Sequence, residues 1–342
     1  MADVLTTNFT HTYAGRELIT EIFFQPEEDN WTVENFYRIM QTVDKTNVYL
    51  PQSLRKILRK YTTCGFSATG GVTTIDDKVI STEKIKANLE QCVDEFTDTI
   101  FAEAMKTGVD VDDLSGTVID SIIREQFVKG LTSDIHRLVW FADSADADAD
   151  WDQFDGWIRR FVASSADIGA DCFVDMDGTA FETGDALAVD GALGLFRQLD
   201  SAASAVLDNM ADARWYVTRS VAKNYAASLE DQGNEVGQLN LENGITNMQF
   251  RGRNVVVVPE WDVNLADATN PWATSSGNTI EIGSNLIVLT SPQNLVVGTD
   301  VTSPSNEFKI RYNDDDDEKM KVISKMKLGA QFVHPELVCL AY

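Results

Sequence analysis

The sequence has 342 residues, of which 44% are hydrophobic and only 7 are proline, a composition typical of folded globular proteins. Its formal net charge of -26 repels a phosphate backbone, which argues against sequence-specific nucleic-acid binding. No window approaches the roughly 18 apolar residues of a membrane span, and the start does not resemble a signal peptide, so we expect a soluble protein of a cytoplasm-like compartment.

The N-terminal region is predicted as an extended arm followed by helix. Residues 1–30 show weak periodicity, whereas residues 31–61 have helical spacing, with Thr32 as cap and Pro51 opening a second segment. This second segment holds what we read as the only basic cluster: Arg55, Lys56, Arg59 and Lys60. The cluster is interpreted as a solvated helix face, with a contact to nucleic acid or to an acidic neighbour as the alternative.

A projecting loop is predicted next. CGFSATGGV is rich in glycine, and the following VTTIDDKVISTEKIKANLE alternates like two strands around an acidic turn at Asp76 and Asp77. The stretch carries few large apolar side chains, so we expect it either to lie in solvent or to pack on another chain.

A long amphipathic helix is predicted at about 114–140, where apolar residues recur at steps of three and four. The aspartate-rich loop 143–155 follows, but an EF-hand template starting at Asp146 finds Trp151 and Trp157 where Gly and Glu are needed. We therefore interpret it as a solvated acidic loop, with a loosely bound cation as the alternative. A short helix should follow, with Phe154, Trp157 and Ile158 on its apolar side.

The remaining chain predicts an α+β protein with its helices first and its strands late. Residues 191–210 are helical in pattern, and residues 214–231 read as a strand running into a helix capped by Ser220. From residue 245 onward most runs are β-type, and DDDDEK at 314–319 reads as a charged turn between two long strands.

The segment CFVDMDGT resembles the first motif of haloacid dehalogenase-like phosphatases. In such an enzyme Asp175 would be the nucleophile and Asp177 the general acid/base, with magnesium between them and a later acidic pair. The residue types needed downstream occur in the right order as Lys223, Glu230 and Asp231. However, the apolar run before Asp175 is only CFV, and the late β-runs do not fit a doubly wound sheet. We therefore interpret the motif as an acidic turn and expect no enzyme.

The other residues with catalytic or metal-binding potential form no pattern. Nothing pairs a serine or cysteine nucleophile with the histidines, which are His11, His136 and His334. No CxxC pair occurs among the cysteines, which are Cys64, Cys92, Cys172 and Cys339. We expect reduced, partly buried thiols, and we predict no catalytic, cofactor-binding or metal-binding residue.

The order of these elements resembles that of the major capsid proteins of tailed bacteriophages. The resemblance covers nearly the whole chain and is carried by the arm, the loop, the long helix and the segments RWYVTRSVAKNYAASLED, FRGRNVVVVPEWD, NLIVLTSPQNLVVGTD and LGAQFVHPELVCLAY. It implies the Hong Kong 97-type fold, which encapsulins share, and a structural protein of the virion that assembles from hexamers and pentamers in the host cytoplasm. Double-stranded DNA would be enclosed non-specifically, with a portal protein and scaffold or decoration proteins as partners. An encapsulin-like compartment shell is the alternative.

The resemblance also implies a division of the chain into four parts. These are the N-terminal arm (1–50), the extended loop (51–100), the peripheral domain with its spine helix (101–180 and 301–335) and the axial domain (181–300 and 336–342). Some relatives cross-link a loop lysine to a neighbour, and Lys78, Lys84 and Lys86 lie in that region, but no motif marks a donor. The apolar residues expected to be buried only between subunits are Phe23, Phe24, Ile75 and Ile80.

Overall fold

The computed structural model describes part of the chain in detail. The described residues are 11–13, 37–41, 45–51, 75–92, 118–177, 179–183, 186–231, 248–273, 280–299, 308–311 and 319–342. Among the helices within these ranges, none combines the length and apolar character needed to cross a membrane.

Long and short helices alternate with strands through the middle of the chain. The helices are α1 (Val118–Phe141), α2 (Trp157–Ala163), α3 (Ser165–Ile168), α4 (Gly191–Ala202), α5 (Ala205–Asp208), α6 (Arg219–Asp231) and α7 (Pro259–Leu265). A 3-10 turn at Pro335–Leu337 precedes the last strand. Helix α7 begins at a proline. The N–H groups of the first turn have no acceptor within the helix, so the N–H that proline lacks costs no helical hydrogen bond there.

The strands lie at both ends of the chain and between the helices. They are β1 (His11–Tyr13), β2 (Arg38–Gln41), β3 (Lys45–Pro51), β4 (Ile75–Ser81), β5 (Glu83–Cys92), β6 (Phe173–Val174), β7 (Glu182–Thr183), β8 (Ala186–Leu187), β9 (Arg214–Val217), β10 (Gln249–Phe250), β11 (Arg253–Val257), β12 (Ile287–Thr290), β13 (Leu295–Thr299), β14 (Phe308–Arg311), β15 (Lys319–Phe332) and β16 (Val338–Ala341).

The first sheet is organised by the long strand β15. Its order is β1-β14-β15-β13-β2, and β5 pairs with β15 along ten consecutive positions. Some residues of β15 pair with β5 and also with β14 or β13. Strand β5 therefore lies along one edge of β15, and β14 and β13 lie along the other edge. One face of the sheet contributes Met326, Leu328 and Phe332 to the hydrophobic core against α1 and α2.

The second sheet has the order β10-β11-β9-β12-β16-β6 and is mixed. Strand β9 runs parallel to β11 and antiparallel to β12, and β16 runs parallel to the edge strand β6. The runs IVLT in β12 and VCLA in β16 are buried at every position, as expected for strands covered on both faces. Val255, Val258 and Leu286 to Leu289 are core, whereas Val256 and Val257 are partly buried and pack against it.

Several predictions are confirmed by this architecture. The long helix is present as Val118–Phe141, and the short helix is present from Trp157 with Trp157 and Ile158 buried; Phe154 is also buried but precedes the helix. The segment 191–202 is helical, and 214–231 is a strand followed by a helix. The predicted turn DDDDEK lies largely outside the described residues, between the antiparallel strands β14 and β15.

Three local predictions are wrong. Residues 38–41 and 45–51 are strands rather than helix, because each pairs with a strand distant in sequence, β13 and β4 respectively. Asp76 and Asp77 lie within β4, opposite Leu50 and Tyr49, and do not form a turn.

The third concerns the cap of α6. This helix begins at Arg219, so Ser220 lies in its first turn and does not cap it. The Ser220 hydroxyl instead donates to the Ser284 carbonyl at 2.8 Å. The Arg219 N–H finds its acceptor in the Asp262 carboxylate at 3.2 Å.

Candidate functional site

The feature best suited to contact other molecules is the hairpin formed by β3 and β4. Its two strands pair from Lys45 opposite Ser81 to Pro51 opposite Ile75. They form a two-stranded sheet of their own within the described chain. At about 3.3 Å per residue, the six steps from Ser81 to Ile75 span about 20 Å.

The base of this hairpin is fixed to the first sheet. The Gln331 side-chain amide donates to the Val79 carbonyl at 3.0 Å, and the Lys78 ammonium lies 5.5 Å from the centre of the Phe332 ring. A β-carbon added at Gly329 would overlap the Ser81 carbonyl and lie 3.2 Å from the Thr82 Cα. Only glycine therefore allows the chain to cross β15 this closely.

Burial along the hairpin base is one-sided. Ile80 is fully buried within its own chain, so the expectation that it is buried only between subunits is wrong. Val79, by contrast, is 40% exposed. A two-stranded hairpin is only marginally stable alone, so its surface beyond the base gains from contact with a further layer.

Packed aromatic rings form a platform between the helices and the start of β2. Trp140 near the end of α1 makes edge contacts with Trp157 at 4.6 Å and with Trp261 at 4.7 Å between ring centres. Tyr37, just before β2, lies 5.4 Å from Trp157 and 5.9 Å from His136. These contacts join α1, α2, α7 and the start of β2 into one core.

Two titratable groups are buried in this platform. Burial lowers the pKa of His136 from 6.5 to about 4, although the Glu260 carboxylate lies 3.9 Å from its Nδ1. Burial, and secondarily the charge of Glu260, raises the pKa of Tyr37 well above its ordinary value. Both side chains are therefore neutral at pH 7 and act as packing groups.

A charged network ties the second sheet to its covering helices. Arg253 of β11 donates to Asp200 of α4 at 2.9 Å and to Asp208 of α5 at 2.7 Å. Arg251 also donates to Asp200. Asp200 and Arg253 are each about one-tenth exposed, so this network is more strongly coupled than a surface ion pair.

Comparison with solved structures assigns the architecture. The chain is similar to the capsid of the native GTA particle, with a TM-score of 0.55, 11% identity, and coverage of 93% of this chain and 92% of that one. It is also similar to a structure from Mycobacterium phage Bobi (TM-score 0.53, 9% identity, 93% and 91% covered) and to the procapsid of satellite phage P4 (0.50, 11%, 89% and 92%).

The chain has a phage capsid fold. At this level of identity the likeness concerns the fold alone. No family model and no curated relative matches the sequence.

The capsid fold does not assemble the phosphatase site suggested by the sequence. Asp175 is exposed, follows the two-residue edge strand β6, and accepts a hydrogen bond from the Asp177 N–H at 3.0 Å. It thus caps the backbone amide of Asp177. Lys223 lies on α6, the helix that follows β9. Strand β9 is three strand spacings, or about 14 Å, from β6 in the second sheet. Glu230 and Asp231 lie near the far end of that helix, about 11 Å along its axis from Lys223.

The aspartate-rich loop 143–155 is held by its own hydrogen bonds. Asp143 is buried and pairs with Arg159 at 3.3 Å. The side chains of Asp146 and Asp148 each accept the N–H two residues ahead, at 2.7 and 3.0 Å. Within the described residues, no three His, Cys, Asp or Glu side chains converge as a metal site would require.

The cysteine prediction is wrong for one pair. Cys172 and Cys339 form a disulfide, with their Cα atoms 4.3 Å apart. Each directly precedes a residue of the paired strands: Leu340 of β16 lies opposite Phe173 of β6. Sequence spacing could not show this pair, because 167 residues separate the two cysteines. The side chains of Cys64 and Cys92 lie outside what the structure describes.

The remaining sequence candidates are dispersed over the capsid fold. His11 lies in β1, His136 in α1 and His334 before the 3-10 turn. Lys84 and Lys86 are exposed on β5. The predicted basic cluster at 55–60 falls outside the described residues, as do Phe23 and Phe24.

Sequence reasoning missed a second basic group on the first sheet. KMKVISKMK in β15 and EKIK in β5 carry lysines at alternating positions, which places them on one face of a strand. The signal was a period of two within segments already predicted as strands. The segment 55–60 was therefore not the only basic cluster.

Proposed function

We propose that the chain is a structural major capsid protein. It assembles as hexamers and pentamers into an icosahedral shell of the Hong Kong 97 type that encloses double-stranded DNA. The observation that carries this proposal is the likeness to capsid structures over about nine-tenths of the chain. Because more than nine-tenths of each chain is covered, the likeness concerns the architecture and not one motif.

The hairpin β3–β4 supports an assembly role. Its base is anchored in its own subunit through Val79 and Gly329, while its two-stranded body needs a further surface for stability. In a closed shell each subunit repeats the same contacts with several neighbours, so modest contacts add up to cooperative association. The division into arm, extended loop, peripheral domain and axial domain belongs to the same proposal.

The net charge of -26 supports non-specific enclosure of DNA. An acidic wall repels phosphates, which favours movement of DNA during packaging and exit. Portal and scaffold or decoration proteins complete the proposed set of partners, with assembly in the host cytoplasm and residence in the virion. The protein acts as a building block and not as an enzyme.

Negative-stain microscopy of the purified protein tests the proposal. We expect shells, tubes or hexamers over a range of protein and salt concentrations. A protein that stays monomeric under all these conditions, with an ordered 60–95 segment, would contradict it. Particles isolated with a protein cargo in place of DNA would favour a compartment shell. Magnesium-dependent hydrolysis of a phosphomonoester that is lost in Asp175→Asn would favour the phosphatase.

A further inference from the structure

One face of the first sheet is basic, although the chain as a whole is strongly acidic. Alternation along the strands and the pairing register place a set of side chains on the face opposite the hydrophobic core. We call this set the basic sheet face: Arg38, Lys84, Lys86, Lys321, Lys325 and Lys327, of which Lys327 is buried. Glu90 is the one acidic residue at the described positions of this face.

Like charges lie directly opposite each other on this face. Lys86 of β5 is paired in register with Lys325 of β15, and Lys84 is paired with Lys327. Directly opposed positions bring β-carbons to about 4.5–5.5 Å, where like charges destabilise a sheet. In the isolated subunit the pair of Lys86 and Lys325 is therefore destabilising, and a bound anionic surface would offset that repulsion.

The lysines at the centre of the face are available for such a contact. Lys84, Lys86 and Lys325 are exposed. Within the described part of the chain, no carboxylate lies within ion-pair distance of these three ammonium groups. An anionic surface laid on the face would therefore meet cations that are not already neutralised.

The acidic loop 143–155 offers the complementary charge but lies elsewhere in its own subunit. It follows α1, which packs against the opposite, apolar face of the sheet. The Trp151 indole N–H of the loop donates to the Thr269 hydroxyl at 3.1 Å, which fixes the loop to the segment that follows α7. After the loop, Trp157 donates to the Gln331 carbonyl, six residues and about 20 Å along β15 from Lys325. The Lys86–Lys325 centre of the basic face therefore lies away from the loop of its own subunit, on the opposite face of the sheet.

The loop also presents its carboxylates among short side chains. Asp146, Asp148, Asp150 and Asp152 are separated mainly by alanine, so no long side chain keeps their carboxylates at a distance. Internal hydrogen bonds hold Asp146 and Asp148 in place, which lowers the entropy lost when the loop docks. Ala147, Ala149, Asp150 and Asp152 are exposed.

We propose that the basic sheet face docks the acidic loop 143–155 of a second copy of this chain. The contact joins two different surfaces, so it is head-to-tail and leads to rings or shells. It rests on the proposed function, in which many copies associate, and it names the partner surface within that assembly. Between copies that each carry a charge of -26, it supplies an attraction that also fixes their relative orientation.

Charge reversal on each side tests the contact. The face variant is Lys86→Glu with Lys325→Glu, and the loop variant is Asp150→Lys with Asp152→Lys. Assembly is measured by light scattering and negative-stain microscopy in nucleic-acid-free buffer, and folding by circular dichroism. We expect both variants to fold and each to raise the critical concentration for assembly by at least about tenfold.

A matched control separates the site from net charge. Arg197→Glu with Lys223→Glu makes the same total change at two exposed positions on α4 and α6. We expect this control to assemble like the unmodified protein. An equal defect in the control and in the face variant would overturn the proposal.

Mixing the two defective variants gives the sharper result. In a head-to-tail ring with an even number of subunits, such as a hexamer, the two variants can alternate, so that every acidic face meets a basic loop and every basic face meets an acidic loop. We therefore expect an equimolar mixture to form hexamers where neither variant forms them alone. A face variant that assembles normally, or a mixture that is not restored, would overturn the proposed contact.

Two further outcomes keep the alternatives apart. If the unmodified protein never associates, the proposed function fails, independently of the contact. If the face variant assembles normally but loses binding to a short DNA duplex measured by fluorescence anisotropy, the basic face serves nucleic acid, and the contact between copies is wrong.

Discussion

The crossing of the hairpin over β15 makes Gly329→Ala an informative substitution. A β-carbon at this position would overlap the Ser81 carbonyl oxygen, lie 3.0 Å from the Ser81 carbonyl carbon and lie 3.2 Å from the Thr82 Cα. All three are backbone atoms, so no side chain can rotate away to make room. The strain must be absorbed by moving either the hairpin base or β15.

The size of the effect follows from what holds the base. Releasing it would break the hydrogen bond from Gln331 to the Val79 carbonyl, about 1 kcal/mol, and would expose the fully buried Ile80, about 1.5–3 kcal/mol. Backbone shifts that accommodate an extra carbon cost about 1–3 kcal/mol. Because shifting costs no more than release, we expect a loss of about 1–3 kcal/mol with the hairpin still attached.

Urea denaturation of Gly329→Ala measures this loss, and hydrogen exchange of amides 79–82 reports whether the base stays in place. Gly130→Ala is the matched control, because Gly130 is exposed in α1 and has no atom within 4 Å of an added β-carbon. There the alanine should stabilise the protein by about 0.5–1 kcal/mol. Unchanged stability of Gly329→Ala would refute the close crossing.

Three further predictions concern charge. The folded-state pKa of His136, about 4, lies below its ordinary value of 6.5, so its contribution to stability is complete above pH 6.5 and is lost as pH falls toward 4. The change is about 1–2 kcal/mol between pH 7 and pH 5, and chemical denaturation of His136→Phe at both pH values should show a smaller difference than the unmodified protein. Asp200→Asn should cost about 1.5–3 kcal/mol in urea denaturation, because it weakens a nearly buried partner of Arg253. Lys325→Glu should stabilise the unassembled subunit by about 0.2–1 kcal/mol, because it replaces a like-charge pair with Lys86 by an attractive one.

Each of these predictions has a specific control. Asp134→Asn removes an exposed carboxylate paired with Arg137 and should cost at most about 0.5 kcal/mol, which sets the scale for Asp200. Lys325→Gln removes the repulsion without adding attraction and should fall between Lys325→Glu and the unmodified protein. If His136→Phe keeps the full pH dependence, other groups account for it.

The part of the fold that could be predicted from sequence is the part fixed by local periodicity. Apolar residues at steps of three and four in one long segment define a helix wherever it packs, and α1 occupies Val118–Phe141 as expected. The late β-runs were recognisable from their composition, and β12 and β16 form the buried centre of the second sheet.

The errors lie where a distant partner decides the local structure. Ile39 and Met40 show helical spacing, yet β2 is a strand because it pairs with β13 from the other end of the chain. The disulfide between Cys172 and Cys339 depends on the pairing of β6 with β16, which no spacing rule contains. The lysines of the basic sheet face were all visible in the sequence, but that those of β5 and β15 share one face follows from the register of β5 against β15.

The segregation of charge makes a prediction about salt that the net charge alone does not. If repulsion between copies of charge -26 were the only electrostatic effect, added salt would promote assembly monotonically. A contact between the basic sheet face and the loop 143–155 adds a short-range attraction. Up to about 0.1 M salt, where the Debye length falls to about 10 Å, screening removes mainly the long-range repulsion, and assembly should improve.

At about 1 M salt the Debye length is about 3 Å, and the face–loop pairs themselves are weakened, so assembly should decline again. Light scattering across this range should show a maximum for the unmodified protein. The variant with Lys86→Glu and Lys325→Glu lacks the attraction and should instead improve continuously with salt. Identical salt profiles for the two proteins would mean that the face contributes nothing to association, and the like charges opposed on β5 and β15 would then serve some purpose other than contact between copies.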